Sequence, residues 1–179
     1  MSDMTVSPSV AIQSTTHSMT RLRIVVDASF DEFRSRFELA VPPLDTRRMA
    51  ELTETRASWD EMKSAVAANA PHTFVIYATV DTTPLMSLAG HDRPCVEYLM
   101  GNHVIAERMF RHDPAALLYA PLRIALYEDA DGHTVFAIDQ PSTVFAGLGN
   151  PAIADVGLEL DRELDALLAY LGIGPVTGS

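Results

Sequence analysis

Residues 122–139 read Leu-Arg-Ile-Ala-Leu-Tyr-Glu-Asp-Ala-Asp-Gly-His-Thr-Val-Phe-Ala-Ile-Asp. Two apolar runs, Leu122 to Tyr127 and Val135 to Asp139, flank Asp129-Ala-Asp-Gly132. An Asp-Gly step supplies the backbone freedom that a tight reversal needs, so the spacing predicts two antiparallel strands joined by a hairpin turn. Working toward the N-terminus, Val96 to Met100 reads as a further strand stopped by Gly101-Asn102. Thr73 to Val80 has the β-branched and aromatic density of a buried strand, closed by the polar loop Asp81-Thr-Thr-Pro84. From His17 to Asp27, polar Thr20, Arg21 and Arg23 alternate with apolar Met19, Leu22, Ile24 and Val26, the pattern of a half-buried strand.

Helix signals lie between these strands. Ser29 followed by Glu32 is a capping-box signature, and Phe30, Phe33 and Phe37 recur at helical spacing until Pro42-Pro43. Ser58-Trp-Asp-Glu61 is a second capping box, with Trp59, Met62, Ala65 and Val66 as an apolar stripe ending near Asn69-Ala-Pro71. Asn150 before Pro151 opens a long amphipathic helix on Ile153, Val156, Leu160, Leu164, Leu167 and Leu171, ending near Gly172. Residues 44–57 are charged, show only a weak helical face and read as an insertion. These elements predict an α+β fold: a single domain over residues 17–172 with a mostly antiparallel sheet backed by helices on one face. Residues 1–16 read as an N-terminal tail without a secretory leader, and 173–179 as a short C-terminal tail.

Composition narrows the function classes. Of 179 residues 47% are apolar, enough to build a core without covalent staples. Thirteen Lys and Arg against 24 Asp and Glu give a net charge of −11, which repels nucleic-acid phosphates and anionic membrane surfaces, so neither partner is expected. The single cysteine, Cys95, excludes an intrachain disulfide and a cysteine-built zinc site and suits a reducing, cytoplasmic setting. No apolar run approaches the roughly 18 residues of a membrane span. Neither G-x-G-x-x-G nor G-x-x-x-x-G-K-[ST] occurs, and His91, His103, His112 and His133 lack metal-ligand spacing, so no cofactor and no metal is expected.

Tyr98-Leu-Met-Gly-Asn-His-Val-Ile-Ala-Glu-Arg-Met-Phe110, Leu117-Leu-Tyr-Ala-Pro-Leu-Arg-Ile-Ala-Leu-Tyr-Glu-Asp129 and Asp139-Gln-Pro141 together resemble the domain-of-unknown-function 302 family, over roughly His17 to Leu171. The resemblance implies a compact α+β fold with a helix-backed sheet, frequent self-association and no established general activity. The chain departs from the family pattern at His103, where a proline commonly follows Gly-Asn, and in the longer segment 44–57.

Candidate chemistry gathers around strand ends. The Gly101-Asn102 turn leads into a helix whose backbone N–H groups suit an oxygen ligand, although Asn102 serves equally as an N-cap. Tyr119 and Arg123, flanking Pro121, form a phenol and guanidinium pair suited to orienting a small carbonyl or carboxylate. A buried tyrosine bonded to backbone is the plainer reading of Tyr119. Tyr98 and Met109 are candidate apolar lining residues, or ordinary core. Glu97 and His103 are the candidate proton-transfer groups. Glu97 shares a strand face with Cys95 and Leu99, opposite Val96, Tyr98 and Met100, and alternation alone leaves open which face is covered; Cys95 itself reads as a small core residue. Three functions follow in order: a domain binding a small organic ligand in a cleft beside Gly101-Asn102; a cofactor-independent isomerase, cyclase or lyase acting by proton transfer; and a ligand-free interaction protein acting as a homodimer.

Overall fold

The computed structural model describes residues 12–174. In chain order the elements are β1 (Arg21–Val26), α1 (Phe30–Ala40), α2 (Thr46–Glu54), α3 (Trp59–Asn69), β2 (Val75–Asp81), α4 (Thr83–Ser87), β3 (Cys95–Gly101), α5 (His103–Phe110), a 3-10 turn (Pro114–Leu118), β4 (Leu122–Glu128), β5 (Thr134–Asp139), α6 (Pro141–Ala146) and α7 (Pro151–Tyr170). The five strands form one sheet in the order β1-β5-β4-β3-β2, antiparallel throughout. The hairpin pairs Glu128 with Thr134 and Ile124 with Ile138. Its turn is held by the Asp129 carboxylate, which accepts from the backbone N–H groups of Asp131 and His133 and pairs with Arg23. Gly132 there has φ +82°, a conformation that side chains with a Cβ rarely adopt.

The pleat sends alternate residues to opposite faces. Val96, Tyr98 and Met100 of β3, Leu122, Ile124 and Leu126 of β4, and Phe136 and Ile138 of β5 are buried in one cluster with Phe33 and Phe37 of α1, Ile105 and Met109 of α5, and the inner stripe of α7. The Phe37 ring stands edge-on to Tyr98 at 5.0 Å and to Phe136 at 5.8 Å between centroids. The alternation left two candidate inner faces on β3, and the bulkier set went inside because it buries more apolar surface against the helices. Glu97 therefore lies on the opposite side of the sheet from this cluster, where its carboxylate pairs with Arg123 of the adjacent strand at 2.9 Å. Cys95 shares that side and is half-buried, not a core residue.

Other expectations shift in detail. The charged segment 44–57 holds a regular helix, α2, because Asp45 caps its start by accepting from Arg48 N–H and Leu52 anchors it to the interior. The polar loop expected at 81–84 runs into α4, since proline tolerates a first helical turn. The first strand covers only 21–26 of the residues assigned to it. On α3 the capping box forms as expected, yet Val66 is the one fully buried side chain and Trp59 stays 44% exposed. Of the expected tails, residues 1–11 and 175–179 lie outside the described residues, and 12–16 are exposed without regular structure.

Candidate functional site

The turn after β3 is built around Asn102. Its side-chain Oδ1 accepts from the N–H groups of Val104 (2.9 Å) and Ile105 (3.2 Å), and its Nδ2 donates to the Thr73 carbonyl at 2.6 Å. Both polar atoms are thus engaged in capping α5 and tying it to the start of β2. Gly101 is buried, and a Cβ there would stand 3.3 Å from the Tyr77 ring and 3.5 Å from Pro121. Met109 lines the gap beside this turn with Ile105, Pro121 and Phe145, but the gap holds only about 20 Å³, too small for an organic ligand. Tyr98 sits in the core with no exposure and donates its hydroxyl to Glu38 at 2.7 Å. Burial, with the Glu38 carboxylate beside it, pushes that phenol well above its ordinary pKa.

Across the wall made by Pro121 and Leu122 lies a larger hollow of about 280 Å³. Tyr119 and Arg123 both line it, together with Met19, Leu118, Asp139 and Val144. Tyr119 follows the 3-10 turn and is steadied edge-on against Phe145 at 6.3 Å and His17 at 6.1 Å. Arg123, the second residue of β4, is largely exposed on the sheet face opposite the core cluster, and Asp139, the last of β5, pairs with Arg21 at 2.8 Å. The fold therefore unites Tyr119 and Arg123 in one concavity, whereas Asn102 and Gly101 stand on the other side of the Pro121–Leu122 wall.

His103 goes elsewhere. As the first residue of α5 it is half-buried, and its Nδ1 lies 2.9 Å from the Tyr77 hydroxyl, with the rings edge-on at 4.9 Å. Burial lowers the His103 pKa and raises that of Tyr77, so the pair is a neutral imidazole and a neutral phenol near neutral pH. Reasoning from sequence missed Tyr77. The β2–β3 register slips between Ile76 and Ala78, and a bulge of this kind re-aims a side chain in a way that residue alternation does not record.

A single antiparallel sheet backed by helices, with a hollow where β4 begins and β5 ends, defines an α+β domain. The family described as Domain of unknown function DUF302 matches residues 50–171, and the chain belongs to that family. The match starts within α2, later than the His17 expected, and so leaves out β1 and α1. A similar solved structure is the crystal structure of the uncharacterized conserved protein DUF302 from Bacillus stearothermophilus, with a TM-score of 0.61 and 15% identity, covering 86% of this chain and 99% of that chain. At that identity the likeness shows the fold. No curated protein matches the chain. Among the described residues, no helix is long and apolar enough to cross a membrane.

Proposed function

We propose that the chain is a small-molecule-binding domain whose ligand, a partly apolar organic molecule carrying a carbonyl or carboxylate, sits between Tyr119 and Arg123. The observation that carries this reading is the convergence of one phenol and one guanidinium on a hollow of about 280 Å³ whose other walls are Met19, Leu118, Pro121, Leu122 and Val144, with the Asp139 carboxylate that also lines it paired to Arg21. Ligand sites combine apolar walls with a few polar groups, and this volume falls just below their range of about 300–1,000 Å³, which suits a small ligand. Glu97 engages the Nε of Arg123. A guanidinium has five N–H donors in a planar fork, so the remaining edge suits a ligand oxygen.

The proton-transfer alternative gains less support, because neither Glu97 nor His103 is among the side chains lining this hollow. Titrating ¹⁵N-labelled protein with a panel of small aliphatic and aromatic carboxylic acids tests the binding reading. Shifts should concentrate on Leu118, Tyr119, Arg123 and Val144, and Arg123→Gln should weaken the best binder by roughly tenfold, the worth of one charged hydrogen bond. Shifts scattered elsewhere, or affinities indifferent to Arg123→Gln, overturn it.

A further inference from the structure

A second concavity of about 360 Å³ lies along α2, α3 and α5, remote in lining from the Tyr119–Arg123 hollow. Its walls include Met49, Trp59, Met62, His103, Glu107 and Phe110. Trp59 and Phe110 remain 44% and 45% exposed. The apolar stripe on α3 thus presents an aromatic ring and a thioether to this groove.

We infer that the groove is a binding site for a flat, uncharged aromatic molecule bearing one weakly acidic hydroxyl, a phenol or enol, seated against Trp59 and Phe110 with its hydroxyl hydrogen-bonded to His103. Two aromatic rings and two thioethers offer polarizable walls suited to a planar apolar body. The imidazole is held in place through Nδ1 by Tyr77 at 2.9 Å, so Nε2 is the ring nitrogen left to a ligand. Whichever of the two carries the proton, one hydrogen bond to a hydroxyl is available: the ligand donates when Nδ1–H donates to Tyr77, and accepts when Tyr77 donates. Charge sets the selectivity. Burial keeps the imidazole in its neutral form, and among the described residues no lysine or arginine lines the groove, so its lining offers a carboxylate or phosphate no cation. A neutral hydroxyl meets no such penalty. The first hollow, with its guanidinium, selects the opposite class.

Trp59 is the chain's one tryptophan, so its indole N–H resonance reports on the groove without ambiguity. Titration with 4-cyanophenol should move that resonance saturably, at least tenfold more tightly than benzonitrile, which lacks the hydroxyl; benzoate should leave it in place. His103→Ala should reduce 4-cyanophenol to the benzonitrile level, and Tyr77→Phe, which frees the ring while keeping its shape, should weaken it severalfold with benzonitrile unaffected. Arg123→Gln should change none of these values, which separates this site from the first. Equal affinity for 4-cyanophenol and benzonitrile in the wild-type chain, no saturable shift of the indole signal, or a preference that survives both variants overturns the inference. The wild-type comparison decides the matter even where His103→Ala fails to fold.

Discussion

The Tyr98 hydroxyl, buried beneath α1, donates to Glu38 Oε1 at 2.7 Å, and Arg34 reaches the same Glu38 oxygen at 3.0 Å and Asp81 at 2.9 Å. Three elements meet at this point: the centre of β3, the last turns of α1 and the end of β2. The Arg34 guanidinium, in turn, holds the Asp81 carboxyl below its ordinary pKa. Tyr98→Phe removes the one hydroxyl and keeps the ring against Phe37, leaving a partly hydrated carboxylate behind. The expected cost is about 1 kcal/mol, the net worth of one internal hydrogen bond. Urea unfolding should show a lower midpoint at unchanged slope.

Asn102 separates capping from binding. Asn102→Ala strips the cap from α5 and the link to Thr73, and should cost about 1–2 kcal/mol. Asn102→Asp keeps the acceptor for Val104 and Ile105 but turns a carboxylate oxygen, which cannot donate, toward the Thr73 carbonyl, so it should keep the cap and lose the link to Thr73. Thermal melts followed by circular dichroism measure both. Carboxylic-acid binding at Tyr119 and Arg123 should persist in the Asp variant, since Asn102 lies beyond the Pro121–Leu122 wall.

Gly157, in the middle of α7, is a packing glycine. A Cβ there would stand 3.0 Å from Ser142 Cα and 3.2 Å from Phe145 Cβ, both on α6. Alanine favours an isolated helix by about 1 kcal/mol over glycine. Overpacking a rigid helix contact costs about 1–3 kcal/mol, so Gly157→Ala should be net destabilising. A rise in the urea midpoint would show that α6 shifts freely.

Arg108 of α5 and Glu159 of α7 form a forked ion pair with contacts of 2.7 and 2.8 Å. Arg108 holds the Glu159 carboxyl below its ordinary pKa. Because the folded pKa is depressed, the stabilisation is complete above the unfolded value of about 4.3 and is lost as pH falls through the folded value. Both side chains are partly exposed, so Glu159→Gln should cost about 0.5–1 kcal/mol at neutral pH. Urea midpoints of variant and wild type measured down the acid range should converge below the folded pKa.

Much of the architecture is written in local patterns. The Asp131-Gly132 step, the Ser58–Glu61 capping box and the Asn150-Pro151 start each form where the residues indicate, because their partners lie within four positions along the chain. Asn102 also takes its capping role from near neighbours, although its bond to Thr73 spans 29 positions. The candidate site was legible in part. Tyr119 and Arg123, four residues apart on the two sides of Pro121, reach one hollow, but nothing in their spacing shows that Pro121 and Leu122 wall them off from Asn102. Glu97 was visible as a carboxylate on a strand, while its pairing with Arg123 depends on the β3–β4 register.

By itself the amino-acid order determined the α+β class, the antiparallel hairpin, the starts of α1, α3, α5 and α7 and the set of apolar residues available to a core, since periodicity and capping act over single turns of backbone. Tertiary structure alone decided the strand order β1-β5-β4-β3-β2, which face of β3 is covered, and the meeting of Tyr77 with His103 through a bulge. Those outcomes depend on how whole elements bury their surfaces against one another, and a contact between residues 26 positions apart leaves no periodic trace in the chain that makes it.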